Sequence, residues 1–152
     1  MNQARNVLQF IIWCQITEKG KNMEDRYLFK AKRTDNGEWV QGYLYGIWEK
    51  KYILWGMTND IPNMIEVDPT TICQCTGLKE KNGKLIWEND IVGYWDAYST
   101  ENGQAEAGCN GNVVWDDETL SFQVTNRLSA ESYEVLDECS VIGNIFDNQE
   151  LL

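Results

Sequence analysis

The 152-residue chain contains no histidine. That absence removes the commonest general base near neutral pH and the commonest metal ligand together. Any catalysis has to run on carboxylates, cysteine, lysine or tyrosine. Proline is scarce as well: Pro62 and Pro69 are the only two. Basic residues are few, 13 Lys and Arg against 24 Asp and Glu, for a formal net charge of −11. Self-repulsion at that charge favours solubility and works against nucleic acid and anionic membranes. Direct nucleic-acid binding is therefore not expected, whereas a basic protein surface is a compatible partner. The apolar run from Val7 to Ile16 is too short to span a bilayer. It has only Arg5 before it and no small-residue cleavage pattern after it, which separates it from a secretory signal. No membrane partner is expected, and the cytoplasm is the expected location.

What is present suits one folded domain. The length is that of a single core, and 43% of the residues are hydrophobic, well above the disordered range. The five cysteines, Cys14, Cys73, Cys75, Cys109 and Cys139, are an odd number, which fits a disulfide framework poorly. Cys73 and Cys75 lack the two-residue spacing of a zinc knuckle, and nothing adjacent would lower a thiol pKa for redox work. They read as reduced thiols packed as small apolar groups. Composition changes at Met23. Lys19-Gly20 can be encoded by AAGGGN, a purine run like a ribosome-binding site. Residues 1–22 are accordingly read as an N-terminal extension, either a leader segment or the product of an upstream start. Residues 23–152 are read as the domain proper.

From Arg26 onward the pattern is of strands and tight turns. Tyr27 to Lys32 alternates, with Tyr27, Phe29 and Ala31 on one side. Asn36-Gly37 then separates it from a second alternating run, Trp39 to Trp48. There Val40, Gly42, Leu44, Gly46 and Trp48 share one face. Large and small side chains alternating in this way suit a curved sheet or small-barrel interior. Tyr52 to Trp55 reads as a return strand. Asp60 to Pro69 reads as a loop with a short extended piece, and Asp96 to Gly111 as a longer loop. Asn112 to Trp115 and Leu120 to Val124 form another hairpin around Asp116-Asp117. Ser129 to Asp137 is ambiguous, with a short helix from Ser129 as one reading, and Cys139 to Phe146 reads as a final strand. The expected fold is mainly β: a small curved-sheet or barrel-like domain with long loops and at most one or two short helices. The spacing of E-N-D-I-V-G-Y-W and G-N-V-V-W-D-D is similar to that of SH3-like barrels, a fold-level analogy only.

The densest cluster of turns lies in Gln74–Val92, Q-C-T-G-L-K-E-K-N-G-K-L-I-W-E-N-D-I-V. Thr76-Gly77 breaks the preceding strand, Asn82-Gly83 suits a type I′ turn, and Glu88-Asn89-Asp90 turns the chain again. Asn89 is one of the few non-glycine residues that tolerates left-handed backbone. This segment resembles the YopX family of small phage and prophage proteins, whose pattern runs roughly Q-[YF]-T-G-L-x-D-x-x-G-x-x-I-[YW]-E-G-D-I-V. The start M-E-D-R-Y-L-F-K-A-K from Met23 and the tail V-I-G-N-I-F-D-N-Q-E-L-L from Val141 are similar to the family's ends. Cys75, Asn89 and Gln149 depart from the pattern, where the family has an aromatic, a glycine and a proline. The resemblance implies a phage or prophage origin and a mostly β domain. It implies no activity, since the family has no catalytic residues to carry over.

Candidate chemistry rests on carboxylates. Glu88 and Asp90, with Asp96 or with Asp116 and Asp117 across the fold, are the oxygen donors that could hold Mg²⁺ for phosphoryl transfer. Turn geometry alone also accounts for Asp90 and for Asp116-Asp117-Glu118. The seven tryptophans and seven tyrosines could stack on bases or sugars, or close an aromatic-rich β core, which alternation favours. No cofactor or catalytic residue is assigned. The leading expectation is a non-enzymatic accessory protein that binds a host or phage protein, with self-association into a homo-oligomer also open. The alternatives are a metal-dependent enzyme on nucleotides or nucleic acid, and an acidic DNA mimic.

Overall fold

The computed structural model describes residues 25–126, 132–134 and 139–152, without the side chains of 98 and 132–134. Residues 1–22, and with them the question of the N-terminal extension, lie outside the described residues. The β-branched and aromatic content of the chain goes into strands, as the alternation predicts. In chain order they are β1 Phe29–Lys32, β2 Trp39–Ile47, β3 Lys50–Thr58, β4 Ile61–Val67, β5 Cys73–Lys79, β6 Leu85–Trp87, β7 Asp90–Thr100, β8 Gly103–Asp116, β9 Ser121–Thr125, β10 Ser132–Glu134 and β11 Ser140–Asn144. The helical segments described are three-residue 3₁₀ turns, Asp25–Tyr27, Pro69–Thr71 and Gln149–Leu151.

The strands form two antiparallel sheets, ordered β4-β3-β2-β1-β5-β6 and β10-β9-β8-β7-β11. The first curls on itself. Arg33 bridges Val67, Thr34 N donates to Glu66 O at 3.1 Å, and Asp68 N donates to Lys32 O at 2.8 Å. The end of β4 thus returns to the end of β1, and β1 to β4 become a small barrel-like unit. Its interior is Ala31, Ile53 and Val67, with Phe29, Val40, Leu44 and Ile65 packed against them. Gly42 makes the curl feasible: a Cβ there would sit 2.1 Å from the Leu54 carbonyl oxygen. The second sheet holds its own core of Val92, Val113 and Val124, joined by Ile86 and Cys139. A third cluster, Cys73, Cys75 and Trp87 with Trp39 and Phe146 beside them, links strands β2, β5 and β6 to the C-terminal tail.

Several local expectations are corrected. Asp96 to Gly111 is not a loop: it is most of the β7–β8 hairpin, paired without interruption from Ile91↔Asn112 to Thr100↔Gly103. Small residues such as Ala97, Ala105, Ala107 and Gly108 hid its alternation. Asp60 to Pro69 is mainly strand β4, and Pro62 is tolerated at the outer end of this strand. The type I′ turn appears at Asn59-Asp60, where φ is 49° and 62°. At Asn82-Gly83 only Gly83 is left-handed, with Glu80 N on Lys84 O and Gly83 N on Glu80 O, a bulged three-residue loop. Trp48 does not face the barrel interior. It occupies the β2–β3 turn at φ 52° and is 95% exposed. Of the ambiguous stretch Ser129–Asp137, the described part, Ser132–Glu134, is strand, and the rest lies outside the described residues.

Candidate functional site

Glu88, Asn89 and Asp90 connect β6 of the first sheet to β7 of the second, and each of the three fastens a different element. Glu88 N donates to Gln74 O at 2.9 Å, and Gln74 N returns a bond to Glu88 Oε2 at 3.3 Å, so Glu88 is held on β5. Asn89 takes left-handed backbone at φ 65°. That conformation lets its N–H reach Val113 O of β8 at 2.7 Å while its carbonyl accepts from Ile145 N at 3.0 Å. Asp90 is 1% exposed; its Oδ2 accepts from Trp87 N at 2.9 Å, and Oδ1 lies 2.6 Å from Lys30 Nζ of β1. The turn therefore joins both sheets and the tail.

Lys30 completes the arrangement. Its ammonium lies 5.2 Å from the Trp39 ring centroid and 5.5 Å from that of Trp87, so two aromatic faces and one carboxylate surround it. Burial raises the Asp90 carboxyl above its ordinary value, against the opposing pull of Lys30 and the Trp87 amide. Burial likewise pushes the nearby Cys73 thiol up to about 11, partly offset by the Asn89 side-chain bond. Cys73 is thus a protonated, unreactive thiol at neutral pH.

A second charged cluster also meets Trp39, whose ring centroid lies 5.4 Å from Lys32 Nζ. Lys32 pairs with Asp147, Trp39 Nε1 donates to Asp147 Oδ2 at 2.8 Å, and Asn144 Nδ2 donates to the same oxygen at 3.1 Å. Asn144 Oδ1 accepts from the backbone N–H of Phe146 and of Asp147, both at 3.0 Å, which shapes the tail turn. Phe146 packs on Trp39 with ring centroids 5.7 Å apart. The Lys32 and Trp39 bonds bring the Asp147 carboxyl down to about 2. The three sequence pieces marked by the family pattern thus converge around Trp39: Lys30 and Lys32 from the start, Trp87 and Asp90 from the centre, Asp147 from the tail.

Glu88, Asp90 and Asp116, expected as metal donors, each have hydrogen-bond partners of their own. Asp90 is held by Lys30 and its own turn, and Glu88 by β5. Asp116 caps the β8–β9 turn, accepting from Glu118 N at 2.9 Å and Thr119 Oγ1 at 2.8 Å. Asp117 accepts from Trp115 Nε1 at 2.9 Å. Among the described residues no group of three or more histidine, cysteine, aspartate or glutamate side chains is placed to hold a metal ion. No helix among them is long and apolar enough to cross a membrane.

A cleft of about 610 Å³ opens between β5 and the β8–β9 turn. Leu78, Trp115, Leu120 and Phe122 supply its apolar lining, and Arg26, Gln74, Thr76 and Ser121 its polar groups. Trp115 and Phe122 meet edge to face, with centroids 5.1 Å apart, which fixes the cleft wall. The titratable groups in the lining are the Arg26 guanidinium and the Cys75 thiol, whose pKa burial raises. The linear sequence hides this cleft, because its walls come from distant segments. The one local signal is Leu120, an apolar residue at φ 53° in an otherwise polar turn.

These features define a class: a two-sheet antiparallel β protein whose sheets are pinned by the Glu88-Asn89-Asp90 turn and a C-terminal tail. No curated relative matches the chain. The YopX protein family matches residues 28–152, and the chain belongs to it. Membership implies a phage-associated protein, and carries no assigned activity with it.

Proposed function

We infer that this chain is a non-enzymatic phage accessory protein that acts by binding a host or phage protein. The observation that carries this reading is the cleft between β5 and the β8–β9 turn. Its lining is apolar and aromatic with a few convergent polar groups, the composition of a recognition site. Among the described residues its lining presents no carboxylate, and its thiol is held protonated, so the groups on hand favour holding a ligand over proton transfer or nucleophilic attack. Exposed Trp55, Ile61 and Met64 on the β3–β4 hairpin extend the apolar surface available for protein contact. The reading places the protein in the cytoplasm of a bacterial host, in keeping with the unpaired thiols of Cys73, Cys75 and Cys109. Affinity capture from host lysate by the wild-type chain and by Leu78→Glu tests it. A specific partner retained by the first and lost by the second is expected; no specific partner for the wild-type chain counts against it.

A further inference from the structure

The β7–β8 hairpin extends past the strands that flank it. On one side β11 reaches β7 only as far as Ser140↔Gly93; on the other, β9 reaches β8 only from Asn112↔Thr125 onward. Among the described residues, Tyr94–Thr100 and Gly103–Gly111 therefore form a two-stranded ribbon whose outer edges carry no further strand. A ribbon of that kind is marginal in water without additional cover. Exposed edges are normally protected by lysine, proline or a bulge. This ribbon has none of the three: residues 93–113 contain no Lys, Arg or Pro, and the pairing runs without a register shift.

The outward face is equally distinctive. Trp95, Ala97 and Ser99 lie there, opposite Gly108, Glu106 and Gln104, and all six are exposed. Trp95 is 74% exposed. Its cross-strand neighbour Gly108 leaves open space beside it. The ribbon's charges, Asp96, Glu101 and Glu106, are all negative. A second copy of this chain is a poor occupant, because pairing edge to edge would bring like charges together on molecules that each carry a net charge of −11.

We propose that the outer edge of β7, from Trp95 to Ser99, receives an extended basic segment of a partner protein as an added strand. Main-chain bonds to this edge, unpaired among the described residues, supply the register, Trp95 covers an apolar side chain of the incoming strand, and Asp96, Glu101 and Glu106 select lysine or arginine. The inference rests on the protein-binding reading above and names the partner's chemistry at a surface distinct from the cleft.

Three fluorescent probe peptides of about ten residues, the length of a strand, test it: one alternating Lys with Val, one alternating Glu with Val, and one alternating Lys with Pro. The Lys–Val peptide is expected to bind the full chain and to slow amide exchange at Trp95–Ser99. The Lys–Pro peptide has the same charge and lacks half the strand donors, and the Glu–Val peptide has the wrong charge; both are expected to bind at least about tenfold more weakly. Glu101→Lys/Glu106→Lys alters two exposed positions and is expected to weaken Lys–Val binding by about tenfold with the fold intact. Equal binding of the Lys–Val and Lys–Pro peptides overturns the inference, as does protection away from Trp95–Ser99 or an unaffected double variant. Partner capture lost in Leu78→Glu and unchanged in the double variant overturns it while leaving the protein-binding reading in place. Absence of any specific capture by the wild-type chain overturns both.

Discussion

Lys30 Nζ stands 2.6 Å from Asp90 Oδ1, with the ring centroids of Trp39 and Trp87 5.2 and 5.5 Å away. The pair crosses from one sheet to the other, so it couples their positions. Removing one member leaves the other's charge in a nearly dry site. Asp90→Ala is expected to destabilise the fold by about 3 kcal/mol, the usual scale for breaking a buried pair. In a double-mutant cycle with Lys30→Met, urea denaturation is expected to show the second substitution costing much less than the first. Additive losses would mean that the two residues do not act together.

Asn89 adopts φ 65° at a position where the family pattern has glycine. Asn89→Gly suits that backbone and is expected to stay within about 1 kcal/mol of wild type. Asn89→Ala has no such ease and is expected to lose about 1–2 kcal/mol in the same denaturation measurement. An alanine variant as stable as the glycine variant would contradict a backbone role for this residue.

Much of this architecture was legible before the structure. Alternation located β1 and β2, the glycines announced a curved sheet, and turn residues marked the Glu88-Asn89-Asp90 corner. The β7–β8 hairpin was not legible, because Ala97, Ala105, Ala107, Gly108 and Gly111 carry too little hydrophobic contrast to show period two. Trp48 misled for the opposite reason: it continues the alternating face of β2, yet the hairpin turns at that residue and throws the ring into solvent. Turn geometry foretold the local roles of Asp90 and Asp116. The partner Lys30 was not foretold, since a buried ion pair between residues 60 positions apart leaves no trace in local pattern.

Asp147 and Asp90 respond to pH in opposite senses. Asp147 has a folded-state value of about 2, below its ordinary 3.8. Its contribution is therefore fully present above about pH 4 and disappears as pH falls toward 2. Asp147→Asn is expected to flatten stability against pH across that window, read by thermal melts from pH 2 to 5. Asp90 has a raised value, so its own contribution falls as pH rises through that value. If Asp147→Asn retained the wild-type acid dependence, the Lys32 and Trp39 contacts would not be setting this carboxylate.

Cys73, Cys75 and Cys139 are buried, whereas Cys109 is partly accessible. Iodoacetamide at pH 7.5, followed by peptide mass spectrometry, is expected to label Cys109 in the folded chain. The three buried thiols should react only after denaturation. Fast labelling of Cys73 would contradict the value of about 11 that burial gives it.

The proposed function assigns partner recognition to the cleft and a fold-holding role to the turn carboxylates. The most direct measurement compares the partner captured by wild-type chain, Leu78→Glu and Asp116→Asn, with and without EDTA, at matched thermal stability. Leu78→Glu is expected to lose the partner, while Asp116→Asn and EDTA leave capture unchanged. Capture that survives Leu78→Glu and fails with Asp116→Asn or EDTA would contradict that assignment.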